Sequence, residues 1–239
     1  MQILKHFLFL VCTVCGVPLF SQLTFPEIIE IDQFANALEP YAAKMDPEVW
    51  VEGGAAFNQS PELIPFFAYL TDNYKIDVIV ETGTWKGDTT ALFAFLCSEV
   101  HTAEVLHNHY EIAIHRLSAF PNAHCHLGSS PEVLNTILPA FKNKRVLFYL
   151  DAHWGAYWPL RDELAAIRKT HKNNCIIVID DIQVPNRPDI PYDGYAGKAC
   201  SYKYVKKQLD EVFSSYTIHY LIPRNVVQRA KLVVIPSNF

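Results

Sequence analysis

Three aspartates follow two apolar segments that are typical of buried strands. Asp151 comes directly after residues 146–150, and Asp180 and Asp181 come directly after residues 175–179. Because the carboxyl ends of parallel strands meet at one edge of a sheet, we expect the three carboxylates to converge. Crowded carboxylates repel one another unless they are protonated or bridged by a cation. Oxygen ligands of this kind suit a hard divalent cation, which is Mg²⁺, Ca²⁺ or Mn²⁺, and Mg²⁺ is the one expected. The alternative is that the acids only cap helices and loops.

His153 lies two residues beyond Asp151 and is a candidate general base or additional ligand. Asp151 is placed with it in the catalytic group. A long, aromatic, turn-rich loop over residues 185–195 follows Asp181, and such loops often carry substrate contacts. Its candidate contact residues are Tyr192, Asp193 and Tyr195. A purely structural loop is the alternative.

Residues 78–90, Val-Ile-Val-Glu-Thr-Gly-Thr-Trp-Lys-Gly-Asp-Thr-Thr, indicate a buried strand, a glycine turn and a helix start. Gly83 and Gly87 allow a tight turn or the close approach of a ligand, and Thr89 is one of the residues that can cap the next helix. Such a turn presents free backbone N–H groups to a nucleotide-like molecule. An ordinary strand-to-helix turn would have the same pattern.

Two glutamates narrow the choice of ligand. Glu81 stands in the first turn and Glu104 ends the second strand, where an acid can accept hydrogen bonds from both ribose hydroxyls. The turn lacks the closely spaced glycines that a pyrophosphate needs, and Glu81 would repel a diphosphate. A cationic nucleoside such as S-adenosylmethionine fits better. Ser129 and Ser130, after the third strand, are candidates for contact with the adenine edge or for a helix cap.

Strands and helices alternate from residue 76 onward, which predicts an α/β, doubly wound, mainly parallel sheet. The last two strands, near residues 217–221 and 231–235, are joined by a short link, so the last strand must run antiparallel.

The 239 residues are expected to form one sizeable domain, residues 76–239, preceded by a helical extension over residues 23–75. The net charge of -5 argues against a nucleic-acid partner. Residues 1–22 carry Lys5 and a long apolar run, which predicts a signal peptide or an N-terminal anchor, and so export or membrane contact through this segment alone. The alternative is a buried helix or a mispredicted start, in a cytoplasmic protein.

The cysteines outside the leader permit disulfides in an exported protein, but their positions favour buried thiols. They are Cys97, Cys125, Cys175 and Cys200.

In these residues the chain resembles the class I S-adenosylmethionine-dependent methyltransferases, and most of all the metal-dependent macrocin O-methyltransferase group. Glu-Thr-Gly-Thr-Trp-Lys-Gly at residues 81–87, together with Asp151 and the Asp180–Asp181 pair, carries the resemblance. It implies a seven-stranded Rossmann-like methyltransferase fold. By the same resemblance, Asp151, Asp180 and Asp181 would hold a divalent cation that binds a substrate hydroxyl pair. The chain departs from the group at Ser129 and His153, where many relatives have acids.

The resemblance implies that the methionine end of the cofactor lies near Glu81 and Gly83, and its ribose near Glu104. The full set assigned to S-adenosylmethionine is Glu81, Gly83, Thr84, Trp85, Gly87, Thr89, Glu104, Ser129 and Ser130. The function expected is metal-assisted methyl transfer to a hydroxyl of a sugar-like or other small molecule. The two alternatives are an exported, non-catalytic binding protein with this fold and a metal-dependent hydrolase.

Overall fold

The computed structural model describes residues 28–41, 56–153, 157–195, 197–224 and 228–239. The leader expected at residues 1–22 lies outside these ranges. Within them, no helix combines the length and the apolar character that a membrane crossing requires. The division into a leader, an extension and a domain that begins at residue 76 stays a prediction.

An eight-stranded sheet forms the centre of the molecule, and its order is β1-β9-β10-β6-β5-β2-β3-β4. All neighbouring strands are parallel except those that pair with β10, which runs against both β6 and β9. A separate two-stranded hairpin joins β7 to β8. The strands are β1 Ile28–Ile29, β2 Val78–Thr82, β3 Val100–Glu104, β4 Ala123–Leu127, β5 Val146–Leu150, β6 Cys175–Ile182, β7 Gly194–Tyr195, β8 Lys198–Ala199, β9 Tyr216–Leu221 and β10 Ala230–Pro236.

The doubly wound α/β fold with an antiparallel last strand is confirmed. The predicted seven strands are all present, and the count needs one correction. Two residues of the extension, Ile28 and Ile29, pair with β9 and add an eighth strand at that edge.

Helices cover both faces of the sheet, which buries its apolar strands as a parallel sheet requires. One face holds the 3-10 helix Ile31–Tyr41 with α1 and α2, and the other holds α4, α5 and α6. The α-helices are α1 Ile64–Asn73, α2 Asp88–Leu96, α3 His107–Leu117, α4 Ser130–Ile137, α5 Leu160–Thr170 and α6 Tyr202–Val212.

The described part of the extension shares the core of the sheet. Phe57 and Phe67 stack with ring centroids 4.9 Å apart, and both rings meet Tyr149 of β5 edge-on at 5.6 Å. This packing joins the extension to the centre of the sheet, where Phe57 and Phe67 are fully buried.

The four cysteines named above are free thiols in the structure. Cys97, Cys175 and Cys200 are buried, and Cys125 is half-buried. Burial raises the pKa of the Cys125 thiol to about 12, so this thiol is protonated at neutral pH.

Candidate cofactor and metal site

A cavity of about 390 Å³ opens at the carboxyl ends of β2, β3, β4, β5 and β6. The strand order reverses between β2 and β5, and ligands of doubly wound folds bind at such a reversal. Residues that sequence analysis assigned to the site form part of its wall: Gly83, Trp85, Glu104, Ser130, Asp151, His153 and Asp181. The wall also includes Asn58, Ala103, Val105, Leu106, His109, Gly128, Ala152 and Arg229.

At the first turn, the backbone that follows β2 lies directly against the backbone that follows β5. Gly83 has a φ of 84°, and a Cβ at this position would lie 2.8 Å from the carbonyl oxygen of Asp151. Only glycine satisfies both conditions without strain. The backbone N–H of Asp151 also donates to the carbonyl of Thr82 at 3.1 Å. The two strand ends are therefore locked together.

Glu104 ends β3 and points its carboxylate at the first turn. Its Oε2 accepts the backbone N–H of Trp85 at 2.8 Å, and its Oε1 accepts the backbone N–H of Leu106 at 2.8 Å. Trp85 reaches this position with a φ of 47°, an uncommon conformation for a residue with a side chain. Glu104 is thus fixed in place, and each oxygen has a further lone pair for a ligand hydroxyl.

Glu81 lies behind the cavity wall. Its carboxylate is buried and accepts hydrogen bonds from the hydroxyls of Thr90 and Thr102. Burial raises the pKa of Glu81 to about 7, against the lowering effect of the two hydroxyls. In this arrangement Glu81 supports the turn that carries Gly83.

Three other residues assigned to the cofactor have structural partners. The hydroxyls of Thr84 and Thr102 lie 2.5 Å apart, and Thr89 accepts the backbone N–H of Phe57 at 3.0 Å. Gly87 caps α2 with a φ of 83°, and a Cβ there would lie 3.4 Å from the Leu117 side chain. These residues shape the turn from outside the cavity wall.

The two serines separate in the structure. Ser129 is the N-cap residue of α4, where its carbonyl accepts the N–H groups of Glu132 and Val133, each at 3.0 Å. Ser130 lines the cavity, and its hydroxyl donates to Oε1 of Glu163 on α5. Ser130 is therefore the serine positioned to meet a ligand.

The acidic end of the cavity brings Asp151, His153 and Asp181 together. One ligand atom from each of them lies within 4.8 Å of the others. Desolvation, followed by repulsion from Asp180 and Asp181, holds the pKa of Asp151 well above its usual range. Burial, followed by repulsion from Asp180, raises the pKa of Asp181 to about 8. Burial and mutual repulsion thus outweigh the neighbouring cations Lys231 and Arg229, and a further cation placed among the carboxylates would be stabilised.

Asp180 occupies a different environment from its neighbour. It is buried against the ammonium of Lys231, which is itself fully buried, and its carboxylate also accepts the hydroxyl of Tyr149. Its Oδ1 accepts the backbone N–H of Asp181 at 2.6 Å. Among the described residues, the group of side chains close enough together to hold a metal ion has His153 in place of Asp180. Asp180 therefore acts in the structure as the partner of Lys231.

A β-bulge explains why the side chains of the adjacent residues Asp180 and Asp181 point in different directions. Between Ala230 and Leu232 of β10 the register against β6 shifts, so that Lys231 faces both Asp180 and Asp181. Asp181 accommodates the extra residue of the bulge by adopting a left-handed backbone conformation, with a φ of 58°. Bulges re-aim side chains, and this one sends Asp181 to the cavity while Asp180 faces Lys231.

Arg229 is a cation of the protein that lines the cavity beside this cluster. Its Nη1 lies 2.7 Å from Oδ2 of Asp181 and 2.7 Å from Oδ2 of Asp193. The side-chain amide of Asn58 reaches Oδ1 of Asp181 at 3.5 Å. Asp193, assigned to substrate contact, is thus tied to Arg229, and it also accepts the hydroxyl of Tyr195 at 3.0 Å.

Aromatic rings border the acidic cluster. The exposed ring of His153 stacks on Tyr195 with centroids 5.0 Å apart, and Trp158 packs against the same tyrosine at 5.2 Å. Although the side chain is exposed, partial desolvation by its surroundings lowers the pKa of His153, so the imidazole is largely neutral at neutral pH and can accept a proton. Tyr192 is 42% exposed and is absent from the cavity wall as the structure describes it.

Arg229, Lys231 and Asn58 were not predicted as site residues from the sequence. Arg229 immediately precedes β10 and Lys231 is the second residue of that strand, and an antiparallel strand brings its first residues to the edge where parallel strands end. The predicted reversal of the last strand could therefore have pointed to Arg229 and Lys231 as site residues. Asn58 belongs to a left-handed turn in which Phe57 has a φ of 51° and Asn58 a φ of 57°, and its sequence offers no comparable signal.

No protein-family model matches the sequence, and no match to a curated protein is found. Solved structures do match. An O-methyltransferase from Bacillus cereus in complex with SAH is 17% identical, with a TM-score of 0.54 over 86% of this chain and 100% of that one. The SAH-bound Podospora anserina methyltransferase PaMTH1 is 14% identical, with a TM-score of 0.52 over 94% of this chain and 100% of that one.

A third match is a Staphylococcus aureus protein provisionally described as a caffeoyl-CoA O-methyltransferase. It is 15% identical, with a TM-score of 0.54 over 86% of this chain and 99% of that one. Together with the strand order, these matches show that the chain has the Rossmann-like fold of S-adenosylmethionine-dependent methyltransferases.

Proposed function

We propose that this protein transfers a methyl group from S-adenosylmethionine to a hydroxyl of a small molecule, with assistance from a divalent cation. The observation that carries the proposal is the arrangement of one cavity. Glu104 stands at one end with its carboxylate fixed by two backbone N–H groups, and Asp151 and Asp181 stand at the other.

The cofactor half of the proposal rests on Glu104 and the turn above it. A carboxylate with spare lone pairs suits the two hydroxyls of a ribose, and charge-assisted hydrogen bonds of this kind are the stronger ones. The exposed faces of Trp85 and Leu106, 49% and 46% accessible, border the same region and offer apolar surface to a base. The acidic end would favour a sulfonium over a diphosphate.

The cation half rests on the donor set. Asp151 and Asp181 supply carboxylate oxygens as ligands, and His153, whose imidazole nitrogen lies within 4.8 Å of both, is left free to accept a proton. Hard divalent cations accept such ligands, and Mg²⁺ is our first choice. Bound there, the cation would lower the pKa of an acceptor hydroxyl. Asp180 would contribute through its contact with the backbone of Asp181.

The transfer itself is an in-line displacement. The acceptor oxygen attacks the methyl carbon, a C–O bond forms, the C–S bond breaks, and sulfur keeps the electron pair as a neutral thioether. We assign the proton of the acceptor hydroxyl to His153, whose neutral ring lies at the cavity edge beside Asp151. The protein's main contribution is to hold both reactants in line.

The acceptor class follows from the same end of the cavity. A sugar-like diol is our first candidate, in keeping with the resemblance to the macrocin O-methyltransferase group. Carboxylates accept hydrogen bonds from hydroxyl groups, and the rings of His153, Tyr195 and Trp158 form an aromatic border against which a sugar ring can pack.

The test is transfer of a labelled methyl group. The full chain is incubated with methyl-labelled S-adenosylmethionine and a panel of sugars and catechols, with Mg²⁺ or with a chelator. We expect label in at least one acceptor and a loss of 100-fold or more with the chelator or in Asp151→Asn. Asp189→Asn, which alters an exposed acid paired with Arg187, is the matched control and should retain activity.

Each alternative has its own outcome in this assay. Transfer that is equal with and without the chelator would remove the cation from the proposal. Cofactor binding without transfer to any acceptor would favour the exported, non-catalytic binding protein. Metal-dependent hydrolysis of a substrate without S-adenosylmethionine would favour the hydrolase. For localisation, we propose export or anchoring through residues 1–22, which the N-terminus of the native protein, read by mass spectrometry, would test.

A further inference from the structure

Glu163 is a buried carboxylate that the proposed transfer does not use. It lies on α5 with no exposed surface. One of its oxygens, Oε1, accepts the hydroxyl of Ser130, and the other, Oε2, has no hydrogen-bond partner among the described residues. Burial raises the pKa of Glu163 to about 7, although the hydroxyls of Ser130 and Thr82 both lower it. Its Oε1 can accept the serine hydrogen whether or not Oε2 carries a proton.

Ser130 connects Glu163 to the cavity. It is the first residue of α4, it is itself 3% exposed, and it forms part of the cavity wall beside Gly128. A serine hydroxyl has one hydrogen to donate and two lone pairs that accept. Because that hydrogen is given to Glu163, the hydroxyl can offer only lone pairs to a ligand.

We propose that Glu163 is a positioning residue that makes Ser130 an acceptor-only contact and so selects a purine with an amino group at position 6. This inference rests on the proposed function, since it concerns the adenine of the same cofactor. The 6-amino group of adenine donates hydrogen bonds, whereas the 6-oxo group of hypoxanthine only accepts. A hydroxyl that can only accept forms a hydrogen bond with the 6-amino group of adenine. Against the 6-oxo group of hypoxanthine it places two acceptors face to face, so no hydrogen bond forms.

The contact also explains why a hydroxyl alone can discriminate. A free serine rotates and serves either as donor or as acceptor, so it distinguishes the two bases weakly. Holding the hydroxyl on Glu163 removes that freedom. Hypoxanthine would then leave a buried polar group without a hydrogen-bond partner, which weakens its binding.

The experiment compares S-adenosylhomocysteine with S-inosylhomocysteine by isothermal titration of the full chain. We expect the wild type to bind the adenosyl compound at least 10-fold more tightly. In Glu163→Met and in Ser130→Ala the ratio should fall below 3-fold. Glu163→Gln should retain most of the discrimination, because its amide oxygen can still accept the serine hydrogen.

Two controls keep the result interpretable. Glu132→Met changes an exposed acid on the helix of Ser130 and should leave the ratio unchanged. Ser130→Ala removes only one oxygen and tests the contact even where Glu163→Met does not fold. Unchanged discrimination in Ser130→Ala would overturn this inference and leave the proposed function standing. If the wild type bound neither compound, the proposed function would fall, and this inference with it.

Discussion

Arg229 and Asp181 are joined at the acidic end of the cavity, with 2.7 Å between Nη1 and Oδ2. The same guanidinium holds Asp193. A protein cation therefore already neutralises part of the charge that a divalent cation would meet. Asp151 is under no such restraint from Arg229, and desolvation and its acidic neighbours keep its pKa high. A bound divalent cation would offset the repulsion around Asp151 most strongly. It would share Asp181 with Arg229.

This competition predicts opposite effects of two substitutions on cation affinity. Asp151→Asn should weaken Mn²⁺ binding at least 10-fold, because it removes a charged ligand. Arg229→Gln should tighten binding several-fold, because it frees Asp181 of a competing cation. Titration of the full chain with Mn²⁺, followed by electron paramagnetic resonance, measures both. Asp189→Asn serves as the control. Equal affinities in all four proteins would show that the cluster is not the site.

The two glycines of the first turn provide a matched pair. Gly83→Ala and Gly87→Ala both place a side chain at a φ near 84°, which costs about 1–2 kcal/mol. Gly83→Ala additionally drives a Cβ against the Asp151 carbonyl at 2.8 Å, whereas a Cβ at Gly87 would meet its nearest neighbours, Leu117 and Ala113, at 3.4 and 3.6 Å.

We therefore expect Gly83→Ala to lower the free energy of unfolding by clearly more than Gly87→Ala, and to weaken S-adenosylhomocysteine binding at least 10-fold. Urea denaturation and calorimetric titration of the two variants provide the comparison. Indistinguishable losses of stability would mean that the turn does not press on the strand end of Asp151.

Glu81 predicts a pH dependence of stability. Burial raises its pKa from 4.5 to about 7 in the folded protein. Between these pH values the folded state holds a proton that the unfolded state has lost, so stability falls as the pH rises from 4.5 to 7 and levels off above. The difference corresponds to roughly 3 kcal/mol.

Glu81→Gln should remove this contribution, since a glutamine does not titrate. The measurement is the free energy of unfolding of wild type and variant in urea at pH 5, 6, 7 and 8, with exposed Glu111→Gln as the control. A difference between wild type and Glu81→Gln that stays constant over this range would contradict the assignment.

Most of the fold could be predicted from the periodicity of the apolar residues and from the residues that end the strands. The alternation from residue 76 predicted every central strand, and the short link before β10 predicted its reversed direction. The two-residue strand Ile28–Ile29 could not be predicted, because so short a segment has no periodicity of its own. Its pairing with β9 is a tertiary contact.

The candidate site was predictable where it depends on single residues at strand ends. Glu104, Asp151 and Asp181 all line the cavity. The sequence analysis could not separate Asp180 from Asp181, because the bulge opposite Lys231 sends them in different directions. The partner of Ser130 was equally out of reach, since Glu163 comes from a helix 33 residues later in the chain. Pairings of this kind depend on packing between elements.

The central claim is that this cavity binds S-adenosylmethionine through Glu104. Isothermal titration with S-adenosylhomocysteine tests it directly, for the wild type, for Glu104→Ala and for the exposed control Glu111→Ala. Loss of a charged acceptor for two ribose hydroxyls should weaken binding by about 10- to 100-fold. We expect binding by the wild type and the control, and that loss in Glu104→Ala. No binding by the wild type at millimolar ligand, or equal binding by all three proteins, would contradict the account.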